Sequence, residues 1–189
     1  TRALRLGDGK CVAYEADGNI DWSKGAIHLR VRPEFRAIDK GDAHMFSAAA
    51  PEVSDMDTLV DIRFPLGYRT FGALISPRNG KDKELSLQRS GQMVYTGSHR
   101  FEANAEWIDL ILSWDADYAE FYVNGRLEGR YKLNDGVPKV LPKRFYLGGI
   151  PGVVENGSPK HPHTFLLKAL RIYDQPVSAG GIKPHVEGK

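Results

Sequence analysis

Hydrophobic and polar residues alternate along most of this chain with a period of two. The pattern occurs in the runs 108–114 and 118–123, is clearest in Ala26–Arg32, and a further run covers 126–132. Successive side chains of a strand point to opposite faces, so this period predicts strands with one buried face. Asn124 and Gly125 separate the last two runs. Because a type I′ turn needs positive φ at both central residues, which Asn and Gly tolerate best, we predict a β-hairpin there.

Shorter runs of the same kind predict further strands along the chain. They are Ala3–Leu6, Val12–Tyr14, Ala26–Arg32, Thr58–Phe64, Thr70–Ser76, Glu84–Gln88, Gln92–Thr96, Arg144–Gly148 and Phe165–Tyr173. No helical period competes with them. Segments rich in Pro, Gly, Asn and Asp lie between the strands and predict loops, the longest from Pro151 to Pro162. The predicted fold class is therefore all-β, a two-sheet antiparallel jelly-roll sandwich.

Length and composition fit one globular domain. The chain has 189 residues, of which 41% are hydrophobic and 26% are charged. We predict a sandwich domain over residues 1–178 and a C-terminal tail or linker over 179–189. A single cysteine, Cys11, excludes an internal disulfide and predicts a small core residue.

Charge and hydropathy exclude several classes of partner. The chain carries 26 basic and 24 acidic residues, a formal net charge of +2. This balance predicts no nucleic-acid binding. No apolar stretch approaches the roughly 20 residues that span a bilayer, so we expect no membrane insertion. Because the chain begins at Thr1 rather than Met, we expect a processed or excised module of a longer secreted or surface protein.

Four segments carry a family resemblance. They are Gly25–Pro33, Trp114-Asp115 with Tyr122–Gly125, Phe145–Gly149 and Leu170–Ser178. In this order they resemble the strands and central hairpin of laminin G-like domains of the concanavalin A-like superfamily, and they extend over nearly the whole chain. The resemblance implies two curved antiparallel sheets, an extracellular or cell-surface location, and glycans or other proteins as partners. It does not determine a ligand, since this superfamily also contains glucanases and polysaccharide lyases.

The resemblance also raises the question of a structural calcium ion. Lys168 stands where the family often has an aspartate that helps to hold calcium, and a lysine there would repel the ion. Carboxylates in loops could still bind calcium, so structural calcium remains an expectation. These carboxylates are Asp8, Asp17, Asp21, Asp39 and Asp42. No other cofactor is expected. His161 and His163 lack a third nearby ligand, which disfavours a transition-metal site.

Catalytic motifs are missing from the sequence. Glucanases of this superfamily carry the pattern E-x-D-x-x-E, which places paired carboxylates on one strand face. The nearest acidic pair here, Glu102 and Glu106, lacks the intervening Asp. No nucleophile elbow or phosphate-binding glycine loop occurs. The sequence therefore favours a non-catalytic module, and we assign no catalytic residue.

Polar strand faces supply the candidate ligand-binding residues. His28, Arg30 and Arg32 alternate with apolar residues on one strand, as Asp61 and Arg63 do on another. On one concave sheet they would capture carboxylate or sulfate groups. Two tyrosines would add ring surface for sugar stacking. The six candidates are His28, Arg30, Asp61, Arg63, Tyr68 and Tyr122. The alternative is an ordinary solvated face with opposite charges paired across strands.

The leading hypothesis is a lectin-like module that binds carbohydrate without catalysis, with an anionic polysaccharide as the favoured ligand. One alternative is a polysaccharide lyase or related glycan-degrading enzyme that uses His28 and Tyr122 of the same face for proton transfer. Another is a structural or adhesive module of a cell surface or virion. The sequence does not indicate which sugar is bound.

Overall fold

The computed structural model describes residues 2–36, 43–49, 58–64, 71–75, 92–95, 106–133, 141–150, 154–155, 158–159 and 163–178. Within these ranges the chain forms fourteen β-strands and no helix. The strands are β1 (Leu4–Gly7), β2 (Val12–Glu15), β3 (Gly25–Pro33), β4 (Ala43–Ala49), β5 (Thr58–Phe64), β6 (Gly72–Ile75), β7 (Gln92–Tyr95), β8 (Ile108–Trp114), β9 (Tyr118–Val123), β10 (Arg126–Lys132), β11 (Arg144–Leu147), β12 (Val154–Glu155), β13 (Ser158–Pro159) and β14 (Thr164–Tyr173).

The described strands build two six-stranded sheets and one short ribbon. Sheet 1 has the order β1-β14-β3-β8-β9-β10, sheet 2 has the order β2-β11-β4-β5-β6-β7, and β12 pairs with β13. Every strand pair is antiparallel. Strand β14 lies between β1 and β3, so the first and last of the described strands are neighbours in sheet 1. This is the all-β, two-sheet antiparallel jelly-roll sandwich that the alternation predicts.

The apolar faces of the two sheets meet in one core. Ile27 and Leu29 of sheet 1 belong to the same buried cluster as Phe46 and Ile62 of sheet 2. Burial of apolar surface stabilises the folded state by roughly 25 cal/mol per Å², and here the buried surface comes from both sheets. The polar side chains that alternate with these residues therefore lie on the two outer faces of the sandwich.

The predicted hairpin between β9 and β10 is confirmed. Asn124 and Gly125 have φ values of 50° and 79°, as a type I′ turn requires. Asn124 also ties the turn to β8, because its side-chain Oδ1 accepts a hydrogen bond from the Asp109 backbone N at 2.9 Å. Its own backbone N donates to the Asp109 carbonyl O at 2.8 Å.

Other predicted elements agree with the structure to different degrees. The run Thr58–Phe64 is confirmed over its whole length as β5, whereas β4 has no counterpart among the predicted strands. In β4 the register shifts between His44 and Phe46, and this bulge removes the period-two pattern that reveals a strand. The segment Pro151–Pro162, predicted as a loop, contains β12 and β13.

Three further predictions concern Cys11, the segment Glu84–Gln88 and the C-terminal residues 179–189. Cys11 is half-buried next to β2 and does not belong to the core cluster; burial raises the pKa of its thiol. The predicted strand Glu84–Gln88 and the predicted tail 179–189 lie outside the described residues.

Candidate functional site

A group of cations lies on the outer face of sheet 1, where β3 and β14 run side by side. His28 pairs with Arg171 in the register of these strands, and Arg32 pairs with Leu166. The register shifts between Leu167 and Ala169, which makes Lys168 the extra residue of a β-bulge. We call this surface the basic face, defined by Arg30, Arg32, Trp107, Lys168 and Arg171.

Trp107, just before β8, is the aromatic residue of the basic face. The guanidinium carbon of Arg32 lies 5.2 Å from the centre of its ring, and Lys168 Nζ lies 5.4 Å from it. Cation–π contacts of this kind are worth about 0.5–1 kcal/mol at exposed sites. Arg32 Nε is buried and has no hydrogen-bond partner within the described part of the chain. Two positive charges thus converge on one half-buried ring.

A chain of hydrogen bonds supports the basic face from below. Arg171 Nη1 lies 3.3 Å from His28 Nδ1, and His28 Nε2 lies 2.7 Å from Asp109 Oδ1. Because a guanidinium can only donate, Nδ1 is the acceptor and Nε2–H donates to the carboxylate. The same carboxylate also faces Arg30, whose Nη1 lies 3.5 Å from Oδ2. The buried His28 therefore connects Asp109 with the exposed Arg171 and holds both in place.

Next to the basic face, Glu34 pairs with Arg5 at 2.6 Å. Burial alone would raise the pKa of the Glu34 carboxyl, but hydrogen bonds from Thr164 and Arg5 and the nearby charge of Arg32 lower it overall. The carboxylate therefore stays ionised and neutralises part of the positive charge at this end of β3.

A second polar cluster lies on the outer face of sheet 2. His44 Nδ1 is 3.2 Å from both Ser47 Oγ and Asp61 Oδ1, and Ser47 Oγ donates to the same oxygen at 3.0 Å. Arg63 Nε lies 3.4 Å from Asp61 Oδ2. Burial would raise the pKa of Asp61, but the charges of His44 and Arg63 and the hydrogen bonds from His44 and Ser47 lower it overall. The Asp61 side chain is 0% exposed.

The structure divides the sequence-predicted candidates between the two sheets. His28, Arg30 and Tyr122 belong to sheet 1, whereas Asp61 and Arg63 belong to sheet 2. Since the two polar faces lie on opposite sides of the core, these five residues do not share one groove. Three of them are buried, with exposed fractions of 2% for His28, 0% for Asp61 and 4% for Tyr122. Tyr68 lies outside the described residues.

Tyr122 is covered because the end of the domain crosses sheet 1. It belongs to a small buried cluster with Ala26 and Ile111, against which Tyr173 and Val177 pack. The Val177 backbone N also donates to Ser113 Oγ at 2.9 Å. The residues that follow β14 thus cover part of the outer face around Tyr122, whereas Arg171 is exposed and Trp107 is half-buried.

An open groove lies at the end of sheet 1, between the loop that precedes β3 and the end of β14. Its volume is about 430 Å³. Its lining consists of Gly18, Asn19, Ile20, Asp21, Ile172, Tyr173 and Asp174. The groove combines one aromatic ring with two carboxylates and an amide, which are the groups that small-molecule sites use to orient a ligand.

Sequence reasoning missed most of these residues. The alternation in β14 places Arg171 and Tyr173 on one face, but no local pattern reveals that β14 lies next to β3. In the sequence, Lys168 stands out only as a residue that would repel calcium, and Trp107 only as the residue before the predicted strand 108–114. The pairing of β14 with β3 brings Arg171, Tyr173 and Lys168 to the sites described here, and the pairing of β8 with β3 places Trp107 beside them.

No group of three or more His, Cys, Asp or Glu residues that could hold a metal occurs among the described residues. The calcium candidates Asp39 and Asp42 lie outside those residues. The described part of the chain also contains no helix with the length and apolar character needed to cross a membrane.

Comparisons with known proteins identify the fold. No family model matches the chain, and no curated protein sequence matches it. Among solved structures, the ligand-binding domain of botulinum neurotoxin serotype D in complex with N-acetylneuraminic acid matches with a TM-score of 0.67 and 12% identity, over 96% of this chain and 40% of that chain. The binding domain of Paraclostridial Mosquitocidal Protein 1 matches with a TM-score of 0.68 and 12% identity, over 94% and 41%.

The receptor-binding domain of botulinum neurotoxin D is a third such structure, with a TM-score of 0.66 and 12% identity over 95% of this chain and 42% of that chain. The chain therefore spans about two fifths of the length of these structures. Identities this low show a shared β-sandwich fold and nothing finer.

Proposed function

We propose that this chain is a non-catalytic carbohydrate-binding module and that its basic face binds an anionic glycan. The observation that carries the proposal is the convergence of Arg32 and Lys168 on the ring of Trp107. Exposed Arg171 extends the positive surface along β14. The structural likeness supports the proposal, since one similar domain was solved with N-acetylneuraminic acid, a sugar that carries a carboxylate.

The chemistry of the basic face fits a carboxylated or sulfated sugar. Guanidinium groups bind such oxyanions through paired hydrogen bonds, and an ammonium group adds a compact charge. An indole ring offers an apolar surface to the C–H face of a pyranose. Arg30, one of the sequence-predicted residues, contributes charge here, while the buried His28 is a positioning residue that acts through Arg171.

The test compares two variants with the unmodified protein on heparin, hyaluronan and a sialylated oligosaccharide. In the double variant Arg32→Gln/Lys168→Gln we expect at least about a tenfold weaker binding constant, which corresponds to about 1.4 kcal/mol. Arg144→Gln/Arg126→Gln is the matched control, because it removes the same charge from two exposed residues that do not belong to the basic face. Equal losses in both variants, or no binding to any of these glycans, would contradict the proposal.

Three finer statements belong to the proposal. We infer membership in the laminin G-like branch of the concanavalin A-like superfamily from the four sequence segments. We infer an extracellular or cell-surface location from the same resemblance. We also infer that further modules of a longer chain accompany this one, which is consistent with its match to about two fifths of each similar structure.

The lyase alternative depends on proton transfer by His28 and Tyr122. Both side chains are buried in this structure, and a general acid or base must come within hydrogen-bond distance of the substrate. We therefore favour binding without catalysis. Formation of unsaturated uronate, followed by ultraviolet absorbance with a panel of uronate polymers, would show lyase activity directly.

A further inference from the structure

We propose that the groove between the β2–β3 loop and the end of β14 is a second sugar site, one that takes an uncharged pyranose. This site is independent of the basic face. Its lining includes Tyr173, which we call the aromatic wall, Asn19 and Asp21, which we call the polar wall, and Asp174. A volume of about 430 Å³ falls within the range of about 300–1,000 Å³ that is typical of small-molecule pockets.

The polar wall is held rigidly by the core. Trp22 is 5% exposed, and its carbonyl accepts a hydrogen bond from Trp114 Nε1 at 3.1 Å. The backbone N of Asn19 and that of Ile20 both donate to the Ala16 carbonyl at 3.0 Å. A loop that is anchored in this way requires little ordering when a ligand binds, so less of the interaction energy is lost.

The side chains of the polar wall are also oriented by the loop itself. Asn19 Nδ2 donates to the Glu15 carbonyl at 3.0 Å, which determines the orientation of the amide. Asp21 Oδ1 accepts hydrogen bonds from the backbone N and the Oγ of Ser23 at 2.9 and 2.6 Å. These bonds lower the pKa of the Asp21 carboxyl. The carboxylate is therefore ionised at neutral pH and can accept hydrogen bonds from sugar hydroxyls.

The aromatic wall is brought opposite the polar wall by the pairing of β3 with β14. Tyr173 pairs with Ala26 at the start of β3. Gly25 allows this approach, because a Cβ atom there would lie 2.6 Å from the Tyr173 carbonyl O. Lys24 Nζ lies 3.3 Å from Gln175 Oε1 and links the loop to the residues after β14.

The charge of the groove decides the class of ligand. Asp21 and Asp174 would repel a carboxylated or sulfated sugar, whereas neutral hydroxyl groups donate well to carboxylates. A pyranose also has a C–H face that packs against an aromatic ring. The structure thus separates two ligand chemistries, with neutral sugar in the groove and anionic sugar on the basic face.

The experiment is a titration of isotope-labelled protein with neutral oligosaccharides of glucose, galactose, mannose and xylose, followed by NMR. We expect at least one of them to shift the backbone amide signals of Gly18, Asn19 and Asp174. Asp174→Ala, at an exposed position, should weaken that binding at least about fivefold, and Tyr173→Ala should weaken it further. The double variant Arg32→Gln/Lys168→Gln should bind the neutral sugar as well as the unmodified protein does.

Tyr173 also packs against the cluster of Ala26, Ile111 and Tyr122, so Asp174→Ala keeps the test valid if Tyr173→Ala fails to fold. The proposal is overturned if no oligosaccharide of the panel shifts these amides at millimolar concentration, or if neither variant weakens binding. Binding of heparin is measured on the same samples. If Arg32→Gln/Lys168→Gln bound heparin as tightly as the unmodified protein does, the role of the basic face would be contradicted and the groove site would be unaffected.

Discussion

At the scale of single residues, the most constrained group is the carboxylate of Asp61. It is fully buried among His44, Ser47 and Arg63 on the outer face of sheet 2. A buried charge is tolerated when several partners compensate for its lost hydration, and removal of one partner leaves the others uncompensated. The sequence-based prediction placed Asp61 in a ligand site, whereas its burial favours a structural role.

Replacement of Asp61 by Asn should therefore destabilise the fold by about 3 kcal/mol at pH 7. The pKa of Asp61 is lower in the folded protein than its ordinary value of 3.8. Such a carboxyl contributes stability that is fully present above its unfolded-state pKa and is lost as the pH falls through the folded-state pKa. Chemical denaturation between pH 7 and pH 2 measures the loss of stability in Asp61→Asn and its dependence on pH.

Below about pH 4, where the unfolded-state carboxyl takes up its proton, the gap in stability between the unmodified protein and Asp61→Asn should narrow. Asp17→Asn, which changes an exposed carboxyl, serves as the control and should alter stability by less than about 0.5 kcal/mol. A constant gap over the whole range would mean that ionisation of Asp61 contributes nothing to folding.

At the scale of elements, the pairing of β3 with β14 forms both proposed sites. One end of this strand pair holds Arg32 and Lys168, and the other end holds Tyr173 beside the groove. Local alternation predicted each strand by itself. Their pairing involves residues far apart in sequence, and no turn between them sets the register.

Gly25 tests how strongly this strand pair depends on close backbone contact. Its φ is 152°, and a Cβ atom would lie 2.6 Å from the backbone carbonyl of Tyr173. Gly25→Ala should destabilise the protein by about 2–4 kcal/mol, since steric conflict with backbone adds to strain at positive φ. Thermal or chemical denaturation measures the loss.

Gly125→Ala is the matched control for Gly25→Ala. Its φ is also positive, at 79°, but nothing lies within 4 Å of an added Cβ. Gly125→Ala should destabilise the protein by only about 1 kcal/mol, which is the strain of an alanine in the left-handed region. If the free energy of unfolding falls by the same amount in both variants, close packing at Gly25 does not contribute to stability.

At the scale of the whole molecule, the net charge of +2 conceals an uneven distribution. The basic face carries Arg32, Lys168 and Arg171 on one side of the sandwich, and the groove carries Asp21 and Asp174. The overall charge predicts no nucleic-acid binding, whereas the local charge supports the proposal that the basic face binds an anionic glycan. Exposed charges act over a Debye length of about 10 Å at 0.1 M salt and about 3 Å at 1 M.

Salt should therefore separate the two proposed activities. Binding of heparin to the basic face should weaken by at least about tenfold between 0.1 M and 1 M sodium chloride. Binding of a neutral oligosaccharide in the groove should change by less than about twofold, because no ion pair forms between that ligand and the groove. Isothermal titration calorimetry at both salt concentrations measures the two constants on one protein sample. If the heparin binding constant were the same at both salt concentrations, charge would be excluded as the cause of binding.

The sequence by itself determined the fold class and most strands, because the period of two and the turn Asn124-Gly125 are local properties of the chain. It also singled out Arg30 and His28 as neighbours on one strand face. Tertiary structure alone decided that Asp61 and Arg63 lie on the opposite side of the core, and that β14 brings Lys168 to Trp107. The physical reason is that alternation specifies which side chains share a face of one strand, whereas long-range pairing of backbones specifies which strands become neighbours.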